Sequence, residues 1–277
     1  MKLRMRFNWF IKVVSLLFFT IIIIKSFGKY YLNTPISYKV TKIIHQFSDS
    51  ESIPYLIRNY TKSWSEKCFK DWTYIFWTSK DNYMFLSSHY SWILPIYKLL
   101  PKIYRADISR YFYLFHYGGI YIDLDSECLK PFEHLLHGYQ LVFGSTMNLH
   151  GKSKLPEAYV ESSFMYSTPK NEFWSELIKN IQKESGAILK DKVNLNKIWR
   201  TLFINTINDY YLKKSNERII KIYPPIIFDP LRFEVKENRI ATCKNYKSKN
   251  YDDLISCKDS LKEKGSYVIQ YHSRIFE

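Results

Sequence analysis

The strongest constraint on this chain is the run Gly118-Gly119-Ile120-Tyr121-Ile122-Asp123-Leu124-Asp125, a glycine pair followed at once by an alternating segment that ends in two acids. Pro101 suits a first helical turn, and the stretch from there to Tyr117 is predicted to be a helix stopped by the glycines, where a left-handed cap fits. On that helix Asp107, Arg110, Tyr111 and Leu114 are spaced by three or four and share a face. After the turn, a strand period places Tyr121, Asp123 and Asp125 on one side, with Ile122 and Leu124 on the other. Two carboxylates at the edge of an apolar segment are costly without a counter-charge. A hard divalent cation, Mn2+ or Mg2+, is the partner that such oxygen ligands select. Asp-x-Asp alone is common by chance, and Asp107 with Arg110 also reads as a plain i,i+3 ion pair. Helix, glycine turn and strand together give the acids their chemical meaning.

Upstream, Val40 to Phe47 has strand-forming residues and ends in a polar turn, Pro54 to Cys68 carries a helical apolar stripe, and Asp71 to Thr78 reads as a second strand. A strand, helix, strand opening predicts an α/β fold with a mostly parallel central sheet. Further on, Leu141 to Phe143 reads as a short strand followed by a loop over 144–156, and Glu161 to Ser167 as a further strand or turn. Asn171 to Lys183 and Val193 to Leu212 read as helices, and Ser266 to Tyr271 as a last strand. Pro224-Pro225 keeps Ile219 to Phe228 from being a regular central strand throughout. No internal repeat is visible, and one folded domain over 40–277 is the simplest organisation.

At 277 residues and 46% hydrophobic content the chain supports one substantial core. The net charge of +15 is spread along the sequence. It lacks zinc-finger spacing, a basic zipper or a Gly-rich tail, so a nucleic-acid partner is not expected. Such charge suits a phosphorylated acceptor, a nucleotide diphosphate or anionic lipid headgroups. A solvated basic surface is the bland alternative. Cys68, Cys128, Cys243 and Cys257 permit three complete pairings, of which Cys243 with Cys257 is the best local one.

Residues 8–27 form an apolar run with Lys12 and Lys25 near its ends, long enough at about 1.5 Å per residue to cross a hydrocarbon core of roughly 30 Å. The expectation is a short cytosolic tail over 1–7, a transmembrane signal anchor over 8–27 and a stem over 28–39. A cleaved signal peptide is the competitor, but no small-x-small site follows.

The run from Arg105 through Asp107, Arg110, Tyr111 and Leu114 to the Gly-Gly turn and Asp123-Leu124-Asp125 resembles the DXD-containing sugar-binding region of the Och1-like and capsular-polysaccharide glycosyltransferases, family 32. Ile43-Ile44-His45-Gln46 followed by Phe47 resembles that family's opening strand, and the likeness covers residues 40 to 167 well. The resemblance implies a GT-A fold and retaining transfer from a nucleotide-activated sugar. It also implies roles: Asp107 and Arg110 on the donor sugar or diphosphate, Asp123 on the ribose and sugar side, and Asp125 on the cation. His45, Gln46, Arg105 and Tyr121 join the expected donor-binding set, with a hydrogen-bonded core histidine the other reading of His45. Tyr271-His272-Ser273-Arg274 resembles the family's late histidine segment, which makes His272 a candidate metal or phosphate contact beside Asp123 and Asp125.

Two departures from the family stand out. The Trp-rich ending is replaced by Ser273-Arg274-Ile275-Phe276, and Phe203 to Asn208 stands where a Thr-Gly-Pro motif is usual. The nearest resemblance is to mannosyltransferases that modify inositol phosphoceramide. The expectation is therefore a mannosyl transfer from GDP-mannose to such a lipid by a bilayer-anchored, type II Golgi protein with a lumenal domain. Transfer of another sugar to a glycan or glycoprotein, and a catalytically weak sugar-binding protein, are the alternatives.

Overall fold

The computed structural model describes residues 38–49, 53, 55–147, 160–190, 195–214, 219–231, 243 and 251–272. They belong to a compact unit spanning Tyr38–Glu277. Strand β1 (Ile43–Ser48) leads through helix α1 (Tyr55–Lys62) and a wider π-type turn (Ser63–Cys68) to β2 (Thr73–Thr78). Helices α2 (Ser79–His89), α3 (Leu94–Leu99) and α4 (Lys102–His116) follow, then β3 (Gly119–Ile122) and β4 (Ser126–Cys128). Strands β5 (Leu141–Ser145) and β6 (Val160–Ser167) precede helices α5 (Glu172–Lys190) and α6 (Leu195–Lys214). Strand β7 (Ile220–Tyr223), the single turn α7 (Pro225–Phe228), helix α8 (Tyr251–Glu263) and strand β8 (Val268–Gln270) complete the described order.

Six strands form one sheet in the order β2-β1-β3-β6-β5-β7. β1 runs parallel to β2 and β3, and β5 parallel to β7, but β6 lies antiparallel to both β3 and β5. The sheet is therefore mixed, which corrects the expected mostly parallel arrangement. The reversal lies at β6, which follows β5 among the described strands and pairs with it directly and antiparallel.

A second correction concerns the membrane. Among the described residues no helix is long and apolar enough to cross one. The two longest, α5 and α6, are studded with Lys, Glu, Asn and Asp. No described helix supports the expected membrane span, and the bilayer partner, the type II topology and the Golgi placement that rested on it lose that support. The segments assigned to the tail (1–7) and anchor (8–27), and most of the stem (28–39), lie outside the described residues.

One face of the sheet packs under α4, α5 and α6, with Phe112, Leu114, Tyr121, Phe143, Trp174 and Ile207 in the interior. The other face is closed by Trp64, Phe69, Phe132, Phe164 and Phe228. The glycine pair explains how α4 turns directly into β3. Gly118 and Gly119 have φ of 68° and 92°, and a Cβ on Gly119 would sit 2.4 Å from the Ile43 carbonyl oxygen. Only glycine lets β3 come this close to β1. Disulfides join Cys68 to Cys128 and Cys243 to Cys257, the second being the expected local pair.

Candidate functional site

Helix α4 and the end of β3 meet at a buried guanidinium. Arg110 Nη2 lies 2.6 Å from Asp107 Oδ1 and 3.4 Å from Asp123 Oδ1. Its Nη1 donates to the Ser162 carbonyl oxygen at 2.6 Å and to Ser162 Oγ at 3.2 Å, and its plane lies over the Tyr121 ring at 4.5 Å. The i,i+3 pair anticipated on the helix thus exists, and the same cation extends across to the strand. Burial works against the Arg110 charge, but Tyr121, Asp123 and Asp107 outweigh it and raise its pKa above the ordinary value. Burial also holds Tyr121 as a neutral phenol, its pKa well above the usual range.

The Asp123 main chain is clamped from three sides. Its N–H donates to the Ser163 carbonyl oxygen at 3.0 Å, while its own carbonyl oxygen accepts from Gln46 Nε2 at 3.1 Å and Ser126 Oγ at 2.6 Å. Burial pushes the Asp123 carboxyl up to about 6; Arg110 opposes that rise, and Asp125 and Asp107 reinforce it. The strand itself ends at Ile122, and the chain turns at Leu124 and Asp125. Leu124 is buried there while Asp123 and Asp125 remain partly exposed, so the two acids share the open side of a turn.

The other candidates occupy different places. His45 and Gln46 are fully buried. Trp77 Nε1 donates to His45 Nδ1 at 3.1 Å, which leaves Nε2 to carry the proton and donate to the Gly118 carbonyl oxygen at 2.9 Å. Gln46 accepts from the Tyr74 hydroxyl at 2.6 Å while it holds Asp123. Both residues brace the Gly-Gly turn and the acid-bearing turn from behind. Arg105 turns away from Arg110, donating to the Leu100 carbonyl oxygen at 3.0 Å and lying 4.0 Å from Asp49. His272 comes to the Asp125 side because β8 pairs with β4 and the Tyr271 N–H donates to the Asp125 carbonyl oxygen at 2.9 Å.

Ser162, Ser126 and Asp229 belong to the same surroundings without having been anticipated. The serines act through β6 and β4 pairings that no local spacing encodes, and Asp229 follows the Pro-Pro break.

Among the described residues no group of three or more His, Cys, Asp or Glu side chains is gathered as a metal cage. A hard cation of the Mg2+ kind is held by one or two carboxylates, with substrate phosphates and water filling the rest. The paired acids match that donor chemistry, and the buried Asp229 Oδ2 beside His272, which meets no hydrogen-bond donor among the described residues, marks a further oxygen in need of a positive partner.

A family described as "Glycosyltransferase sugar-binding region containing DXD motif" matches residues 54–142, a span that holds Arg105, Asp107, Arg110, Tyr121, Asp123 and Asp125. Residues 54–142 thus carry a DXD-motif glycosyltransferase sugar-binding region. This glycosyltransferase domain is related to fungal inositol phosphoceramide mannosyltransferases. It is 34% identical over 148 residues to inositol phosphoceramide mannosyltransferase 1 of Schizosaccharomyces pombe, covering 52% of this chain and 44% of the relative. It is 33% identical over 147 residues to the mannosyl phosphorylinositol ceramide synthase SUR1 of Saccharomyces cerevisiae, covering 52% and 35%. The initiation-specific alpha-1,6-mannosyltransferase of the same yeast matches at 33% over 103 residues, covering 36% of this chain and 22% of that protein. The chain thus spans less than half the length of the curated relatives named here.

Proposed function

We propose that the domain is a retaining, divalent-cation-dependent mannosyltransferase that uses GDP-mannose. The acceptor is a hydroxyl of an inositol phosphoceramide headgroup. The observation that carries this reading is the buried Arg110 linking Asp107 on α4 to Asp123 in the DXD turn. The sequence matches to enzymes named for inositol phosphoceramide mannosylation supply the substrate class.

In this reading Asp125, with Asp123 and His272, would hold Mn2+ or Mg2+ at the turn, and such a cation would supply positive charge for the departing diphosphate. Asp107 and Arg110 hold the donor sugar, one accepting from its hydroxyls and the other donating to them or to a phosphate oxygen. Tyr121 lies beneath Arg110 and keeps the guanidinium plane fixed, so its donors need no reorganisation as negative charge develops. His45 and Gln46 serve the donor site through the backbone of Gly118 and Asp123. The acceptor hydroxyl attacks the anomeric carbon from the face that the nucleoside diphosphate leaves, which retains configuration. The net charge of +15 favours two phosphorylated substrates.

The test is incubation of purified protein with a panel of nucleotide sugars, Mn2+ and detergent-dispersed inositol phosphoceramide. Mannosylated lipid formed from GDP-mannose, and lost on chelation, is the expected result. Transfer only to an oligosaccharide would move the acceptor to glycans. Nucleotide-sugar binding without any turnover would leave a sugar-binding protein.

A further inference from the structure

We infer that Asp229 is a positioning residue for the cation and diphosphate site: it fixes the ring and tautomer of His272 at the Asp125 edge. This rests on the proposed placement of the cation at Asp125. His272 is a non-glycine residue in the left-handed region, with φ of 46°, a conformation that persists only where the surroundings impose it. Those surroundings are specific. Strand β8 is tied to β4, with Ser126 opposite Gln270, and Tyr271 bonds the Asp125 carbonyl oxygen. The Tyr271 ring stacks on Tyr60 at 4.4 Å, and its hydroxyl donates to Glu127 at 2.6 Å. The chain is therefore held up to Tyr271 and bends sharply at the next residue.

That bend brings His272 Nε2 to 2.8 Å from Asp229 Oδ1. Asp229 is 3% exposed, fixed at the end of α7 by its N–H bond to the Pro225 carbonyl oxygen. Its Oδ2 is buried and, among the described residues, meets no hydrogen-bond donor. With Asp229 Oδ1 as the acceptor of this bond, Nε2 of the imidazole carries the ring proton and Nδ1 the lone pair. A carboxylate that accepts from one ring nitrogen, while the other is the basic one, is the arrangement that orients histidine toward a metal or phosphate and raises its basicity. The local strain at His272 is thus explained by the contact it makes with Asp229.

The test is Mn2+ binding to the full chain in the presence of GDP, measured by the EPR signal of free Mn2+ so that no turnover is needed. Asp229→Asn should weaken Mn2+ on the order of tenfold. In the double variant with His272→Ala the second change should add nothing, because the two residues act as one unit. Equal affinity for Asp229→Asn and the unaltered protein, or additive losses, would overturn the inference. Should Asp229→Asn fail to fold, 15N ring shifts of His272 in the unaltered protein, assigned with His272→Gln, decide the matter: an Nδ1–H tautomer rules the arrangement out. Asp125→Ala with undiminished Mn2+ affinity would instead reject the cation site itself, a distinguishable failure.

Discussion

Arg110 and Asp123 face each other across 3.4 Å, one from the middle of a helix and the other from the end of the following strand. The helix partner Asp107 sits closer, at 2.6 Å, so one buried cation serves two acids. Replacing Arg110 by Lys keeps the charge but loses the planar fork that reaches Ser162 and both carboxylates. We expect turnover to fall about 100-fold, and Arg110→Ala to cost about 3 kcal/mol of stability as well, because it leaves acids beside an uncompensated pocket. Steady-state kinetics and urea unfolding of the two variants measure this. Near-normal turnover in Arg110→Lys would remove the guanidinium from the donor site.

Asp125→Asn keeps the turn and removes the charge. Mn2+-dependent turnover should drop at least about 100-fold, with the melting temperature little changed since the residue is partly exposed. A metal titration of activity, read beside a thermal melt, separates lost chemistry from lost fold.

His45 makes stability depend on pH. Burial lowers its pKa from 6.5 to about 4, against the small rise contributed by the Gly118 carbonyl. Between those values the unfolded chain is protonated at this position and the folded one is not, so protons favour unfolding. The contribution is complete above pH 6.5 and is lost as pH falls toward 4, a swing of about 3 kcal/mol. Chemical denaturation from pH 7.5 to 4 should show it, with a flatter profile in His45→Gln.

Gly119→Ala tests the close approach of β3 to β1. The new Cβ would lie 2.4 Å from a carbonyl oxygen at a φ of 92°, so we expect a loss of roughly 3 kcal/mol or more. Wild-type stability in this variant would show that the two strands are able to separate without penalty.

The disulfides should differ in weight. Cys68–Cys128 closes a separation of 60 residues and Cys243–Cys257 one of 14. Loop entropy gives about 4 and about 3 kcal/mol for them. Paired Cys→Ser variants compared by urea unfolding would test the order, and a larger loss from the shorter loop would refute a chain-entropy account.

Much of this was legible because it is local. The helix ending at Gly118-Gly119, the strand behind it and the i,i+3 placement of Asp107 and Arg110 all follow from spacing. The disulfide Cys243–Cys257 was readable for the same reason. Helix α2 went unseen although its start carries a capping box between Thr78 and Asp81, because its apolar residues hardly favour one face. The reversal of β6 could not be read, since pairing direction depends on how β5 connects to it in space. Ser162, Ser126 and Asp229 reach the site through tertiary contacts, and nothing in their immediate neighbours announces it. His45 and Gln46 were singled out for a motif, and the fold engages their polar atoms with Trp77, Tyr74 and the carbonyls of Gly118 and Asp123.

The pairing of β4 with β8 sets an order of events. Asp125 is translated more than a hundred residues ahead of β8 (Val268–Gln270), the strand that secures its turn. Until that end has emerged and folded back, the acids lie on an unfinished edge while the sheet behind them is already able to pair. The site therefore takes shape only after β8 has been made, and a nascent chain holds its paired acids incomplete until then.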